Sequence, residues 1–333
     1  MVKMKLAPIF SSHAVFQANK PIRIFGDGVG SAEMIFDGEK KTVASQGGAW
    51  QVSFDPRPYG GPYTLTAILN GEKTVLTDIY VGEVLLLAGQ SNIAMKLDKT
   101  SFPVEQIKEN LAVRYFAARR FENEDETSPE DGWVLCEKER AGRFSAIGYH
   151  VGMELSEGRG VAVGLIACYL GASVIESWMP REITDCEQFY LPPEEKYSSP
   201  YAKGPHNEKG MLYSVRFKSI VPFSVGGVIW YQGESNTGPS EHKIYTRLLA
   251  ELITCWRGDL MDSKLPFYVV QIADRDARDD EAWHGIQAAQ AKIVELLSDV
   301  YVIKSADVCE SFDIHPPTKI KLAKRIYENL RIK

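Results

Sequence analysis

"EVLLLAGQSNIAMKL", residues 83–97, is the stretch on which the fold turns. From Val84 to Ala88 it is apolar at every position, without the alternation of a half-exposed strand. An unbroken short run of this kind reads as a strand buried on both faces, the mark of a parallel sheet. The run breaks at Gly89, presents Gln90, Ser91 and Asn92, and resumes with residues that begin a helix. Open parallel sheets bind their ligands beyond the carboxyl ends of the strands, so this serine stands where chemistry is expected. Taken alone, a serine after a strand is more often a helix N-cap than a nucleophile.

The same grammar recurs downstream. "VRYFAA" (113–118), "VAVGLIAC" (161–168), "VGGVIWY" (225–231), "FYVVQIA" (267–273) and "VYVIKSA" (300–306) are further apolar runs. Helix-period segments lie between several of them, at 145–158, 243–258 and 282–297. Strands alternating with helices indicate an α/β fold with a parallel sheet. Before about residue 80 the pattern differs: "PIRIFGDGVG", "AEMIFDGEKKTVAS", "AWQVSFDP" and "YTLTAILNGEKTVLTDI" are strands parted by Gly, Asp-Gly and Asn-Gly turns. The chain therefore divides into a small antiparallel β-sandwich over 1–80 and an α/β unit over 81–333.

Composition narrows the function. A chain of 333 residues can bury a sizeable core, and a net charge of −6 without a basic block argues against nucleic acid or an anionic membrane surface as partner. No run approaches the ~20 apolar residues of a spanning helix, and the N-terminus lacks an apolar run of signal-peptide length. The five cysteines are scattered without a C-x-x-C pair, which fits a reduced, cytoplasmic setting; a periplasmic or secreted one would require a signal already removed. With six dispersed histidines and no H-E-x-x-H, neither a metal nor a cofactor is expected. The acidic "ENEDETSPEDG" (122–132) reads as a solvated loop, and "PTKIKLAKRIYENLRIK" (317–333) as a terminal helix packed on the core with its lysines in water.

The turns at the ends of the apolar runs carry the polar residues. Gly89-Gln90-Ser91-Asn92 ends the first run, Gly171-Ala172-Ser173 another, Gln232-Gly233-Glu234-Ser235-Asn236 a third, and Asp313-Ile314-His315-Pro316 lies beyond the last. A serine hydroxyl needs a base within hydrogen-bond reach, histidine is mostly neutral near pH 7, and a carboxylate orients it. A developing oxyanion needs preorganised donors, which glycine turns and side-chain amides supply. Rival motifs fail: no glycine follows Ser91 as in G-x-S-x-G, and "GDGVGS" (26–31) lies among strands rather than before a helix.

In these residues, "GEVLLLAGQSNIAMKL", "GLIACYLGASVIESWMP", "GVIWYQGESNTG", "LPFYVVQIA" and "DIHPPTK", the chain resembles the sialate O-acetylesterase family of SGNH-type hydrolases. The leader "SSHAVFQANKPIRIFGDGVGSAEMIFDG" with "GGPYTLTAIL" fits as well, so the resemblance covers essentially the whole chain. It implies a three-layer α/β/α, flavodoxin-like esterase domain behind a β domain. It makes Ser91 the nucleophile and His315 the base, with the oxyanion held by the N–H groups of Ser91 and Gly171 and an amide from Gln232, or else Asn236. The orienting acid is Asp313 if residues 313–315 are extended, with Glu234 the rival and a bare Ser-His dyad the remaining alternative; Phe312 stands where many such hydrolases carry their Asp. Asn92, Trp178, Tyr231 and Trp283 are candidate substrate contacts, Trp230 a further candidate platform aromatic, and His206 and Asn207 part of the site wall. The second turn reads Gly171-Ala172 where the family has Gly-Gly, and Ile93 replaces a methionine.

The expected activity is cofactor-free removal of acetyl groups from a small acetylated sugar, with O-acetylated sialic acid as the first substrate. Acetyl-xylan or another polysaccharide acetate is the alternative. An inactive carbohydrate-binding protein is the alternative of another class.

Overall fold

Two short strands, β1 (Lys5–Leu6) and β2 (Val15–Gln17), precede two long hairpins. The first joins β3 (Ile22–Phe36) to β4 (Glu39–Phe54), the second β5 (Gly60–Leu69) to β6 (Glu72–Gly89). Each closes through a two-residue loop, Asp37-Gly38 and Asn70-Gly71, in which both residues have positive φ. That backbone matches the natural twist of paired strands, which is why Asp-Gly and Asn-Gly mark hairpins in a sequence. β3 is long enough to pair with β4 throughout and with β1 and β5 at its two halves. Its register slips between Asp27 and Val29, around Gly28 at φ 114°, where a Cβ would lie 2.4 Å from the Lys3 carbonyl oxygen. The inward side chains Met34, Phe36, Phe54, Leu65 and Ile79 are buried.

β6 belongs to both halves of the molecule. Val81 and Gly82 still pair with β2, and from Glu83 onward the strand runs parallel to β9 (Val163–Tyr169), so the hand-over falls in mid-strand rather than in a linker. The computed structural model describes residues 3–119, 132–197, 200–278 and 280–331. In it, β7 (Asn110–Ala117), β8 (Trp133–Cys136), β10 (Gly227–Tyr231), β11 (Phe267–Val270) and β12 (Val300–Ile303) complete the second sheet. Its order is β8-β7-β9-β6-β10-β11-β12, with every neighbouring pair parallel except β7 and β8. The short antiparallel edge strand β8 has no counterpart in the sequence reading. The result is a mixed α/β fold with a large sheet, and β6 is central to it because its run Val84–Ala88 is completely buried.

Helix Ala146–Arg159 packs with helix Ile320–Asn329, and helix His242–Asp259 with helix Glu281–Ala291. The first is capped by Ser145, whose Oγ accepts the Gly148 N–H, and ends at left-handed Gly160. The terminal helix buries Leu322, Ala323 and Ile326 and leaves Lys321 and Lys324 exposed, the core-packed arrangement its pattern indicates. The acidic stretch 122–132 lies, but for Gly132, outside the described residues. All five cysteines are free, and among the described residues no helix is long and apolar enough to cross a membrane.

Candidate active site

The turn after β6 is forced by its neighbour. Gly89 pairs with Tyr231 on β10 and has φ 127°; a Cβ there would lie 2.1 Å from the Tyr231 carbonyl oxygen. That same oxygen accepts the Gln90 N–H at 2.9 Å, so the chain leaves the sheet and enters the short helical turn Ser91–Ala94. The far end of the chain meets it there. His315, in the loop between β12 and the terminal helix, places Nε2 2.7 Å from Ser91 Oγ. Both residues are half-buried.

Neither candidate carboxylate reaches the imidazole. Asp313 is exposed, and its Oδ1 accepts the backbone N–H of His315 at 2.9 Å. This local turn replaces the extended backbone on which an Asp313–ring contact depends, and it corrects that expectation. Glu234 is buried beyond the end of β10; its Oε1 accepts from Asn92 Nδ2 at 2.6 Å, while among the described residues Oε2 has no hydrogen-bond partner. Among the described residues, the hydrogen bond to Ser91 is the only one the imidazole makes.

The second and third turns complete the surroundings. A Cβ on Gly171 would touch Ser91 Cβ at 3.7 Å, so its backbone lies directly against Ser91. As the first residue of its turn, Ser91 has no intrahelical acceptor for its N–H. Asn207 secures the second turn: its Oδ1 accepts the Val174 N–H at 2.9 Å, and its Nδ2 donates to the Ala172 carbonyl at 2.8 Å. The amides expected as further oxyanion donors are committed elsewhere. Gln232 Nε2 gives its two hydrogens to the Ser173 carbonyl (3.0 Å) and Asn236 Oδ1 (2.7 Å). Asn236 Nδ2 donates to Glu176 (2.9 Å) and Glu241 (3.2 Å). Both amides therefore brace the turns, which corrects their assignment as donors to substrate.

The candidate sugar platform is also corrected. Trp178 and Tyr231 are 0% exposed and Trp283 is 2% exposed. Trp178 stands edge-on to Trp230 and Trp256, its indole N–H bound to Ser173, and Trp283 donates to the Ala273 carbonyl. These rings are core, where large aromatics contribute most of their buried area. Asn92 is buried as well, and its amide joins protein groups.

One residue of the site escapes the sequence reading. Lys319, four residues beyond His315, is buried, and its Nζ donates to Asn92 Oδ1 at 2.6 Å. The basic pattern of the terminal segment places it among solvated lysines; the one signal to the contrary is its position inside "DIHPPTK". Burial pushes its ammonium down to about 8, against the opposing pull of Cys309, Glu234, Glu310 and Asp313. His315 is held below the ordinary histidine value, chiefly by burial and then by the charge of Lys319, with Asp313 opposing and Arg275 adding to the depression. An imidazole biased toward its neutral form, beside a serine hydroxyl and next to a glycine turn, is equipped for nucleophilic acyl chemistry.

A cavity of about 690 Å³ lies elsewhere, between the leader and the second sheet, lined in part by Tyr59, Tyr80 and Arg114. The Arg114 guanidinium is already engaged by Asp78 and by the carbonyls of His13 and Leu111, so this space is a structural seam.

Residues 81–330 match the family described as carbohydrate esterase, sialic acid-specific acetylesterase. The human sialate O-acetylesterase is 25% identical, over 87% of this chain and 61% of its own length. The mouse protein of the same name is 23% identical, over 87% and 64%. The chain thus spans under two thirds of the length of these curated relatives. A carbohydrate acetylesterase from Xanthomonas citri superposes with a TM-score of 0.84 at 27% identity, covering 97% of this chain and 74% of that one. With the match spanning the whole second sheet and every turn of the site, the chain belongs to the sialic acid-specific acetylesterase family of carbohydrate esterases.

Proposed function

We propose that the protein is a serine esterase that removes O-acetyl groups from a carbohydrate. The observation that carries this reading is the 2.7 Å approach of His315 Nε2 to Ser91 Oγ at the carboxyl edge of parallel strands. In the reaction, Nε2 takes the Ser91 hydroxyl proton as Oγ attacks the acetyl carbonyl carbon. The Ser91 and Gly171 N–H groups hold the oxyanion, and the sugar oxygen leaves with the proton from His315. Water then loses a proton to His315 and attacks the acetyl-Ser91 ester, and acetate departs as Oγ is reprotonated. Neither step requires a cofactor.

The two helix pairs that accompany the parallel sheet support reading residues 81–333 as a three-layer α/β/α unit of SGNH type, with the leader as a β-sandwich accessory. Family membership supports an acetylated sugar as substrate, with O-acetylated sialic acid first. The test is hydrolysis of O-acetylated sialic acid, acetyl-xylan and simple acetyl sugars by the wild type and Ser91→Ala. Release of acetate that disappears in Ser91→Ala supports the esterase, and the preferred sugar names its class. Sugar binding without turnover, or turnover that survives Ser91→Ala, overturns it.

A further inference from the structure

We infer that Lys319 is a positioning residue of this esterase site: it sets the orientation of the Asn92 amide that ties the Ser91 turn to the His315 loop, and it places positive charge beside His315. The inference rests on the serine-esterase reading.

The two ends of the Asn92 amide are nearly alike in shape, so its neighbours decide which faces which. An ammonium only donates, so Lys319 Nζ, at 2.6 Å, holds the amide oxygen. The two amide hydrogens then point to acceptors, Glu234 Oε1 at 2.6 Å and the Ile314 carbonyl at 2.9 Å. Asn92 adjoins the nucleophile and Ile314 adjoins the base. One amide therefore joins the turns after β6 and β10 to the loop carrying His315, across a sequence separation that no local structure spans. With the amide reversed, its NH2 would meet an ammonium and its oxygen would meet a carbonyl and a carboxylate, and the tie would break.

Lys319 itself is in an expensive place. It is 1% exposed, and among the described residues its ammonium makes a single hydrogen bond, to Asn92, with its charge 5.9 Å from the Tyr231 ring centre. A buried ammonium with one hydrogen bond and no contact ion pair destabilises the fold, so an uncharged side chain would serve packing better. Its position makes sense as electrostatics. Cys309, Glu234, Glu310 and Asp313 face it, and it acts on His315 together with Arg275 and against Asp313. The ammonium is linked through the single Asn92 amide to the Ile314 carbonyl, which precedes His315, and positive charge so close to the imidazole disfavours its protonated form and keeps the base available.

Two variants of the full chain separate the roles, assayed with 4-nitrophenyl acetate from pH 4.5 to 9. Lys319→Gln still donates to Asn92 but carries no charge; Lys319→Met loses both. In Lys319→Met kcat falls about 10- to 100-fold with KM little changed, the scale of a misplaced reacting group. Lys319→Gln keeps more of the rate. In both, the acid limb of kcat/KM moves to higher pH. An unmoved acid limb in Lys319→Gln overturns the inference, because a merely structural lysine would not shift it, and this outcome is readable even if Lys319→Met does not fold. Wild-type rates in both folded variants overturn it equally. If Ser91→Ala is inactive while the lysine variants behave as wild type, this inference alone fails; if Ser91→Ala is active, the esterase reading fails with it.

Discussion

The Asp313 carboxylate accepts the backbone N–H of His315 at 2.9 Å and leaves the ring of the same residue untouched. The carboxylate is exposed, so its charge acts on the imidazole through space and partly through water. Asp313→Asn keeps the turn's acceptor and should lower kcat by less than about tenfold, against the ~10⁴-fold loss where an aspartate orients the ring of a serine hydrolase. Because Asp313 raises the affinity of His315 for a proton, its neutralisation should also move the acid limb to lower pH. Steady-state kinetics of the variant decide this; a loss of a thousandfold would assign the orienting role to Asp313.

The acid limb itself is the second expectation. In the proposed mechanism His315 accepts the serine proton only when neutral, so activity is expected above its pKa and should be lost as pH falls through it. Burial and Lys319 hold that value down, and kcat/KM should therefore lose half its plateau below the ordinary histidine value of ~6.5. A midpoint above 7 would contradict the assigned base or its environment.

Gly89 has no tolerated replacement. Its φ of 127° and the 2.1 Å gap to the Tyr231 oxygen require β6 or β10 to move if any Cβ is added. Gly89→Ala should destabilise the protein by more than about 3 kcal/mol, through strain and overpacking together. Urea unfolding measures this, and wild-type stability in the variant would refute the close approach.

Ala172 carries the opposite opportunity. It sits at φ 56°, the left-handed region, where a Cβ costs ~1–2 kcal/mol that glycine avoids. Glycine's greater freedom in the unfolded chain offsets part of the gain, so Ala172→Gly should stabilise by about 0.5–1 kcal/mol. Asn207 already fixes the turn through the Ala172 carbonyl, so its geometry should persist. Thermal unfolding of the pair provides the check, and a lower midpoint for the glycine variant would count against strain at this position.

The sequence by itself determined the parts that depend on local pattern. Val84–Ala88 announces a strand buried on both faces, Asp37-Gly38 and Asn70-Gly71 announce hairpins, and the apolar stripe of the terminal helix announces its packing. Motif order also named Ser91 and His315, which the fold brings to 2.7 Å across 224 residues. Tertiary structure alone decided the partners. Gln232 and Asn236 look like free amides in a motif, yet the hydrogens of each are taken up by their own turn and by segments packed on it. Trp178, Tyr231 and Trp283 look like a sugar platform, yet neighbouring elements cover them completely or nearly so. Lys319 looks solvated, yet a loop and a strand end enclose it against Asn92. The reason is physical: periodicity reports which face of an element is apolar, whereas a polar group's role depends on which distant donor or acceptor the packed chain sets against it.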